Sequence, residues 1–292
     1  MKIRLIGASN DFGASKYGAR LAPDALRKQN LVTLLNQNDI VVDDIGNVTA
    51  NGGGESQPKL KNWQSVSDFN KRLHRQVLQC LDNKEFPLVI GGDHSISAGT
   101  VSAAAKRYEK LGVIWVDAHG DWNNQQSTPS GNMHGMSYSA LCGAGPDCMT
   151  KFDNEFVAID PKRCVLVGAR DIDKDELPRM IKHGVTVITA EEVHRFGVEK
   201  TAEKALDIAA ASGNFYLSFD IDAVSPEHAP GTGTIAPNGL SVEQALRLSE
   251  LLGKQCPVGM DMVEVNPTLD VADKTSALAV QIIVQVLKNV RM

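Results

Sequence analysis

Short apolar runs recur along the chain, and segments with helical spacing lie between them. Eight runs rich in β-branched and other apolar residues predict strands over 2–6, 39–43, 87–90, 112–116, 163–167, 185–188, 215–219 and 257–260. Continuous apolar runs of this length are typical of strands that are buried on both faces of a sheet. Apolar positions at helical spacing predict helices over 22–38, 66–84, 96–112, 199–213, 241–254 and 272–290.

The order of these elements indicates the fold class. Strands that alternate with helices are typical of α/β proteins with a parallel sheet. Eight strands fit either an open sheet or a closed barrel, and the pattern alone does not separate the two. No linker-like segment or internal repeat divides the chain, so we expect one domain over residues 1–292. Two long polar segments, 46–62 and 120–135, are predicted to be surface loops.

Composition and charge exclude several classes of protein. Hydrophobic residues make up 42% of the chain and charged residues 22%, the balance of an ordinary globular protein. The net charge of -5 lacks the basic excess of a nucleic-acid binder. No apolar run approaches the roughly 18 residues of a membrane span. The apolar stretch near the start is also too short for a secretory signal, so we expect a cytosolic protein.

The five cysteines carry little functional information. Their number is odd and no C-x-x-C pair occurs, which argues against a disulfide framework or a zinc ribbon. Cys142 and Cys148 flank a predicted loop and could pair, but reduced thiols are the expectation in a cytosol.

Four polar motifs each follow a predicted strand. They are GGDHS (91–95), DAHGD (117–121), FDID (219–222) and MDMVEVNP (260–267). Ligands bind beyond the carboxyl ends of the strands in open α/β sheets and in barrels, so the motifs are expected to meet at one edge. Residues i, i+2 and i+4 of an extended segment point the same way, which would bring Asp117, His119 and Asp121 together.

Together the motifs predict a site for two metal ions. Six candidate ligands emerge, namely His94, Asp117, His119, Asp121, Asp220 and Asp222. Neighbouring carboxylates would repel one another and hold protons unless divalent cations lay among them. Carboxylate-rich sites with some imidazole and no thiolate suit Mn²⁺, and two such ions can activate one water molecule as a nucleophile. Each motif alone also fits a turn or a cap, but three of them directly after buried strands favour the metal site.

The combination of GGDHS, DAHGD and SFDIDAVSP resembles the ureohydrolase family, which includes arginases, agmatinases and formimidoylglutamases. The resemblance runs over nearly the whole chain. It implies a three-layer α/β/α fold with an open, mostly parallel sheet of eight strands, which decides against the barrel. It also implies two Mn²⁺ per subunit, with Co²⁺ as an alternative because both metals take these ligands. The family's ligand pattern would assign one ion to His94, Asp117, Asp121 and Asp220, and the other to Asp117, His119, Asp220 and Asp222.

In this family the loop after DAHGD reads the substrate, and here that loop resembles the arginases. The pattern N-x6-S-G-N-x-H-G implies that Asn123 and Ser130, with Asn132 nearby, bind the α-carboxylate of L-arginine. The same resemblance implies that His134 shuttles protons. Asn and Ser also stabilise loop turns, so that alternative stays open.

The resemblance extends to the rest of the substrate. GARDIDKDE resembles the segment that receives the α-amino group, which implies a role for Asp173 with Glu176 behind it. Asp173 would also suit a helix N-cap. Glu264 would pair with the guanidinium, as carboxylates do, and Thr234 would line the same end. GTI and NGLS replace the GTP and GGLS that are common in arginases, which affects loop shape near the substrate.

The resemblance therefore implies hydrolysis of L-arginine to L-ornithine and urea, with Asp121, His134 and Glu264 as catalytic residues. A close alternative is hydrolysis of agmatine or of another guanidino or formimino compound, because those enzymes share the metal residues. A more distant alternative is a catalytically silent oligomer that binds a guanidino metabolite. Family members are usually trimers or hexamers, so we expect a homo-oligomer, with neither nucleic acid nor a membrane as partner.

Overall fold

The fold is organised by one open sheet of eight strands. The computed structural model of the chain describes residues 2–52, 54–152 and 156–290. Its strands are β1 Ile3–Ser9, β2 Val42–Thr49, β3 Phe86–Ile90, β4 Gly112–Val116, β5 Cys164–Ala169, β6 Thr186–Thr189, β7 Phe215–Asp220 and β8 Met260–Val263. They lie in the order β2-β1-β3-β8-β7-β4-β5-β6, and each neighbouring pair is parallel. The predicted α/β class and eight-stranded open sheet are confirmed.

Helices cover both faces of the sheet. They are α1 Ala22–Lys28, α2 Leu31–Asn36, α3 Trp63–Asp82, α4 Ser97–Arg107, α5 Ser137–Leu141, α6 Glu176–His183, α7 Ala190–Phe196, α8 Val198–Ala209, α9 Val242–Gly253 and α10 Lys274–Leu287. One apolar core joins the sheet to α1, α2 and α7–α10, and the other joins it to α3–α6. Since successive strand residues point to opposite faces, the inner strands β3, β4 and β5 are apolar throughout, as the sequence indicated. The inner strands β7 and β8 depart from this pattern, because they carry the buried polar residues Ser218 and Asp261. In the part of the chain described, every helix is too short or too polar to cross a lipid bilayer.

Several predicted boundaries were wrong, each for a local reason. The helix predicted over 22–38 is divided into α1 and α2, because Asn30 adopts a left-handed backbone with φ of 61°. The second strand lies at 42–49 rather than 39–43, so the loop predicted over 46–62 begins inside a strand. This strand lies at the edge of the sheet and alternates between half-buried and exposed positions, and therefore lacks a continuous apolar run.

Short elements were also misplaced or missed. The last strand lies at 260–263 rather than 257–260, and α4 ends at Arg107, whereas the prediction carried that helix to Gly112, the first residue of β4. The sequence analysis missed α5 and α7, which are five and seven residues long. Elements of one or two turns show too few repeats for a helical period to be recognised.

The cysteines are free thiols, as expected for a reduced protein. The Sγ atom of Cys142 lies 3.7 Å from that of Cys164, which is buried at the start of β5. The pairing of Cys142 with Cys148 that the sequence left open is therefore absent from the structure.

We predict that the centre of the sheet carries much of the stability. Leu217 is fully buried in β7 and lies beside Ile114 of β4 and Met260 of β8. Leu217→Ala should lower the free energy of unfolding by about 2–5 kcal/mol, because it removes apolar contacts and leaves a cavity. Unfolding in guanidinium chloride measures the change. Val41→Ala is the control, since Val41 is 65% exposed and should change stability by about 0.5 kcal/mol or less. Equal effects of the two substitutions would contradict the prediction.

Candidate metal centre and substrate cavity

The four motifs meet at the carboxyl edge of the sheet, as the sequence predicted. The strands that precede them, β3, β8, β7 and β4, are consecutive neighbours in the sheet. All are parallel, so their carboxyl ends lie at the same edge. His94 begins a short 3-10 helix after β3, Asp117 follows β4, Asp220 ends β7, and Glu264 follows β8.

Five of the six predicted metal ligands form two overlapping groups, and the sixth, Asp121, lies beside His94. One consists of His94, Asp117 and Asp220, the other of Asp117, His119 and Asp222, and the ligand atoms within each group lie within 4.8 Å of one another. The Nδ1 atom of His94 lies 3.0 Å from Asp117 Oδ2, 3.1 Å from Asp220 Oδ2 and 3.2 Å from Asp121 Oδ2. The Nδ1 atom of His119 lies 3.0 Å from Asp222 Oδ2. Asp117 belongs to both groups, so it is placed to bridge two ions.

The side chains converge for a different reason than the sequence suggested. Residues 117–121 form a bend rather than an extended segment. One oxygen of Asp117 accepts the backbone N–H of His119 at 2.7 Å, and one oxygen of Asp220 accepts that of Asp222 at 2.8 Å. In each case the carboxylate caps the turn that follows it, as aspartate often does. The second oxygen of each carboxylate faces His94, and that of Asp117 also accepts the Trp115 Nε1–H at 2.9 Å.

The electrostatics of the cluster fit two divalent cations. Burial raises the pKa of Asp121 well above its usual range, and the neighbouring Asp117 carboxylate raises it further. Burial likewise raises the pKa of Asp220, with Asp222 and Asp117 adding to the rise. The Nδ1 of His94 and the Oδ2 of Asp121 are both buried, and they face each other and the other carboxylates without the angles of a hydrogen bond. Buried imidazole nitrogens and carboxylate oxygens are suitable ligands for Mn²⁺. The charge of the cations would also relieve the repulsion among the carboxylates.

Two residues of the site hold an uncommon backbone conformation. Asp121 has φ of 47° and Glu264 has φ of 61°. Residues other than glycine seldom adopt the left-handed region, which costs of order 1–3 kcal/mol and persists where the surroundings enforce it. At Asp121 the surrounding bonds come from α5, because the carbonyl of Asp121 accepts the N–H groups of Tyr138 and Ser139.

A cavity of about 300 Å³ opens above the cluster. It is lined by every predicted site residue except Asp117, which is buried beneath it. The predicted substrate residues in its wall are Asn123, Ser130, Asn132, His134, Asp173, Glu176, Thr234 and Glu264. Thr128, Pro129, Gly135 and Asp171 also line it, and the sequence analysis missed them. Thr128 and Pro129 lie inside the polar loop, where no spacing rule distinguishes a wall residue from its neighbours.

Glu264 and His134 form a pair at one side of the cavity. His134 Nδ1 lies 2.9 Å from Glu264 Oε1, which also accepts the backbone N–H of His94 at 2.9 Å. Burial lowers the pKa of His134, but the Glu264 carboxylate raises it to about 9. Burial acts to raise the pKa of Glu264, but His134 outweighs it and the pKa is lowered. Glu264 is therefore an ionised carboxylate whose Oε1 is already occupied by two donors.

A second part of the cavity wall carries a polar network. Asn123 Nδ2 donates to Asp173 Oδ2 at 2.8 Å. Glu176 accepts the N–H of Trp122 at 2.6 Å and that of Asp173 at 3.2 Å. Burial raises the pKa of Glu176 to about 7. The N-cap of α6 is Asp175, so the alternative role of Asp173 as that cap is wrong.

Ser130 and Asn132 combine a loop role with a position at the cavity. Ser130 Oγ accepts the N–H of Asn132 at 3.1 Å, and Asn132 Oδ1 accepts from Ser15 Oγ at 2.8 Å. The turn-stabilising role that the sequence left open is thus present in Ser130. Both side chains nevertheless line the cavity.

Comparison with known proteins agrees with this geometry. The arginase of Bacillus subtilis (strain 168) is 36% identical over 287 residues, which cover 98% of this chain and 97% of that protein. The arginase of Staphylococcus aureus (strain COL) is 37% identical over 289 residues, with 96% and 95% covered. A 1.7 Å crystal structure of arginase from Bacillus subtilis superposes with a TM-score of 0.92, at 36% identity and with 98% of each chain covered.

The family assignment covers the chain almost from end to end. The model described as "Arginase family" matches residues 1–288. That range includes all four motifs at the edge of the sheet, the loop over 120–135 and the last helix, α10. This chain is a member of the arginase family.

Proposed function

We propose that this chain hydrolyses L-arginine to L-ornithine and urea. The observation that carries the proposal is that one cavity joins the carboxylate–imidazole cluster to the polar network of Asn123 and Asp173. A guanidinium directed at the cluster would place the amino-acid end of the substrate at that network. The arginases that this chain resembles along almost its whole length support the same reaction.

We assign the two ions as the family pattern does. His94, Asp117, Asp121 and Asp220 would hold one, and Asp117, His119, Asp220 and Asp222 the other. Mn²⁺ is the metal we propose, with Co²⁺ able to use the same ligands. Bound there, the two cations would stabilise negative charge and lower the pKa of a water molecule.

Residues of the chain would transfer the protons. Water adds its oxygen to the guanidinium carbon, the bond from that carbon to the ornithine nitrogen breaks, and urea is released. Both water protons end on the departing nitrogen, which leaves as an ammonium. Asp121 lines the cavity and its pKa is raised by burial, so it would orient the water and accept its proton. His134 is 20% exposed and exchanges protons between the cavity and solvent.

The remaining assignments concern binding. The free oxygen of Glu264 pairs with the guanidinium, and Thr234 lines the same side. Asn123, Ser130 and Asn132 offer neutral donors to the α-carboxylate. Asp173, backed by Glu176, accepts the α-ammonium.

Three wider properties belong to the same proposal. We propose that the whole chain is a single domain and that it works in the cytosol. By its resemblance to the family, we also propose assembly into a homo-trimer or homo-hexamer. Sedimentation equilibrium at several protein concentrations distinguishes these assemblies from a monomer.

We predict that the Mn²⁺-loaded protein releases urea from L-arginine with a kcat/KM at least about a hundredfold above that for agmatine. A site with donors for a substrate group rejects an analogue that lacks this group, because its buried polar atoms are left unpaired. A colorimetric urea assay on both compounds measures the ratio. Preference for agmatine would overturn the assignment of the loop and leave the metal site standing. No urea from either compound would favour another guanidino or formimino substrate, or a silent binding protein.

We predict that Asp220→Asn weakens Mn²⁺ binding by at least about a hundredfold and abolishes urea release. Loss of an outer partner of a ligand already costs about 10–100-fold in metal affinity, and Asp220 is assigned to both ions. Titration calorimetry with Mn²⁺ gives the affinity and the number of ions bound. Asp207→Asn is the control, because Asp207 is exposed on α8, away from the cavity. Two ions bound with unchanged affinity in Asp220→Asn would sink the ligand assignment.

A further inference from the structure

One turn of α6 holds the backbone of Trp122 from both sides. Glu176 Oε1 accepts the Trp122 N–H at 2.6 Å, and Arg179 Nη2 donates to the Trp122 carbonyl at 2.6 Å. Trp122 is itself buried and immediately precedes Asn123. Hydrogen bonds with a charged partner are about twice as strong as neutral ones, so this pair fixes the entry of the chain into the loop.

Arg179 also reaches the side chain of Asn123. Its Nη2 lies 3.5 Å from Asn123 Oδ1, and Ser127 Oγ donates to the same oxygen at 2.9 Å. At the other end of the amide, Nδ2 donates to the carboxylate of Asp173 at 2.8 Å. A carboxylate can only accept and a guanidinium can only donate, so this is the one orientation of the amide that satisfies all three partners.

The main chain of Asn123 is held as firmly as its side chain. Its N–H donates to the carbonyl of Gly135 at 3.1 Å, and its carbonyl accepts from Ser139 Oγ at 2.5 Å. Asn123 is 7% exposed and lines the cavity. Since its oxygen faces Arg179 and Ser127, its NH₂ group is the part of the amide that faces Asp173 and the cavity.

We propose that Arg179, together with Ser127, is a positioning residue that sets the preference for substrates with a carboxylate at their amino-acid end. This inference rests on the proposed function. Donors on Oδ1 keep the NH₂ group of Asn123 directed at the cavity, where it can donate to a carboxylate. A flipped amide would present its oxygen to that anion and repel it. Arg179 contacts the carbonyl of Trp122 and the amide oxygen of Asn123, and it does not line the cavity. It therefore acts through Asn123.

The test compares ligands with and without the carboxylate on the Mn²⁺-loaded protein. Arg179→Met should raise KM for L-arginine about tenfold, the effect of losing a hydrogen bond or two, while kcat changes less than about twofold. Titration calorimetry should show a similar loss in the affinity for L-ornithine. Binding of putrescine, which is ornithine without its carboxylate, should stay unchanged.

Matched variants separate positioning from general damage. Ser127→Ala should act in the same direction as Arg179→Met, and it serves if the latter does not fold. Arg179→Lys keeps a donor for the Trp122 carbonyl and should recover part of the affinity for L-ornithine. Lys182→Met is the control, because Lys182 is an exposed cation on the same helix and should change neither ligand's affinity.

Specific outcomes overturn the inference. Equal losses for L-ornithine and putrescine, or a fall in kcat without a rise in KM, would show a merely structural role. Unchanged binding of L-ornithine in both Arg179→Met and Ser127→Ala would show no role. A wild-type protein that binds L-ornithine no better than putrescine has no preference to be set, and also contradicts it. Absence of arginine hydrolysis by the wild type would instead refute the proposed function.

Discussion

The crowding of four buried carboxylates at one edge of the sheet is the constraint on which the rest of the structure depends. Asp117, Asp121, Asp220 and Asp222 are each at most 6% exposed, so solvent screens their repulsion poorly. In two of them the two carboxylate oxygens face different partners. In Asp117 and Asp220 one oxygen accepts a backbone N–H two residues later, and the other faces His94. The turns that end the strands therefore also fix the directions of the ligand atoms.

The topology of the sheet, rather than any local turn, brings together motifs that lie far apart in the sequence. β8 lies between β3 and β7, so the last strand of the chain is inserted next to one of the first. As a result Glu264 accepts the backbone N–H of His94, 170 positions away. Glu264 follows β8 in a left-handed conformation, and the same oxygen pairs with His134. Parallel crossovers deliver every carboxyl end to one edge, so a polar residue placed after each strand is enough to build the site.

The sequence predicted the edge of the sheet better than its details, and the difference has a physical origin. Most buried strands are continuous apolar runs, so a polar residue that follows one marks the edge of the sheet, and this located Asp117 and Asp220. Glu264 was assigned from the family resemblance instead, because the buried Asp261 interrupts the apolar run of β8 and the predicted strand ended at 260. The same logic failed at the edge strand β2, which is half exposed and alternates. The break between α1 and α2 depends on the left-handed backbone of Asn30, which the helical spacing of apolar residues does not reveal. The wall residue Thr128 is placed by the path of a loop, and Arg179 by packing between distant segments.

The carboxylate cluster and the polar network of Asn123 would recognise charged groups in different ways. At the cluster, like charges are buried together at distances that suit the binding of cations. In the polar network, a cation stands behind a neutral group: Arg179 binds the backbone of Trp122 outside the cavity, and Asn123 lines the cavity. A cation in the cavity wall would attract any anion and would oppose the negative field of the carboxylate cluster. An oriented neutral amide recognises a carboxylate by hydrogen-bond geometry and leaves that field unchanged. Asp173 is exposed and accepts a hydrogen bond from the same Asn123 amide. Under the proposed function, it would therefore select a ligand that carries a positive charge as well as a carboxylate. Under the proposed function, selectivity for an amino acid over a simple amine would thus depend on how rigidly the Asn123 side chain is held.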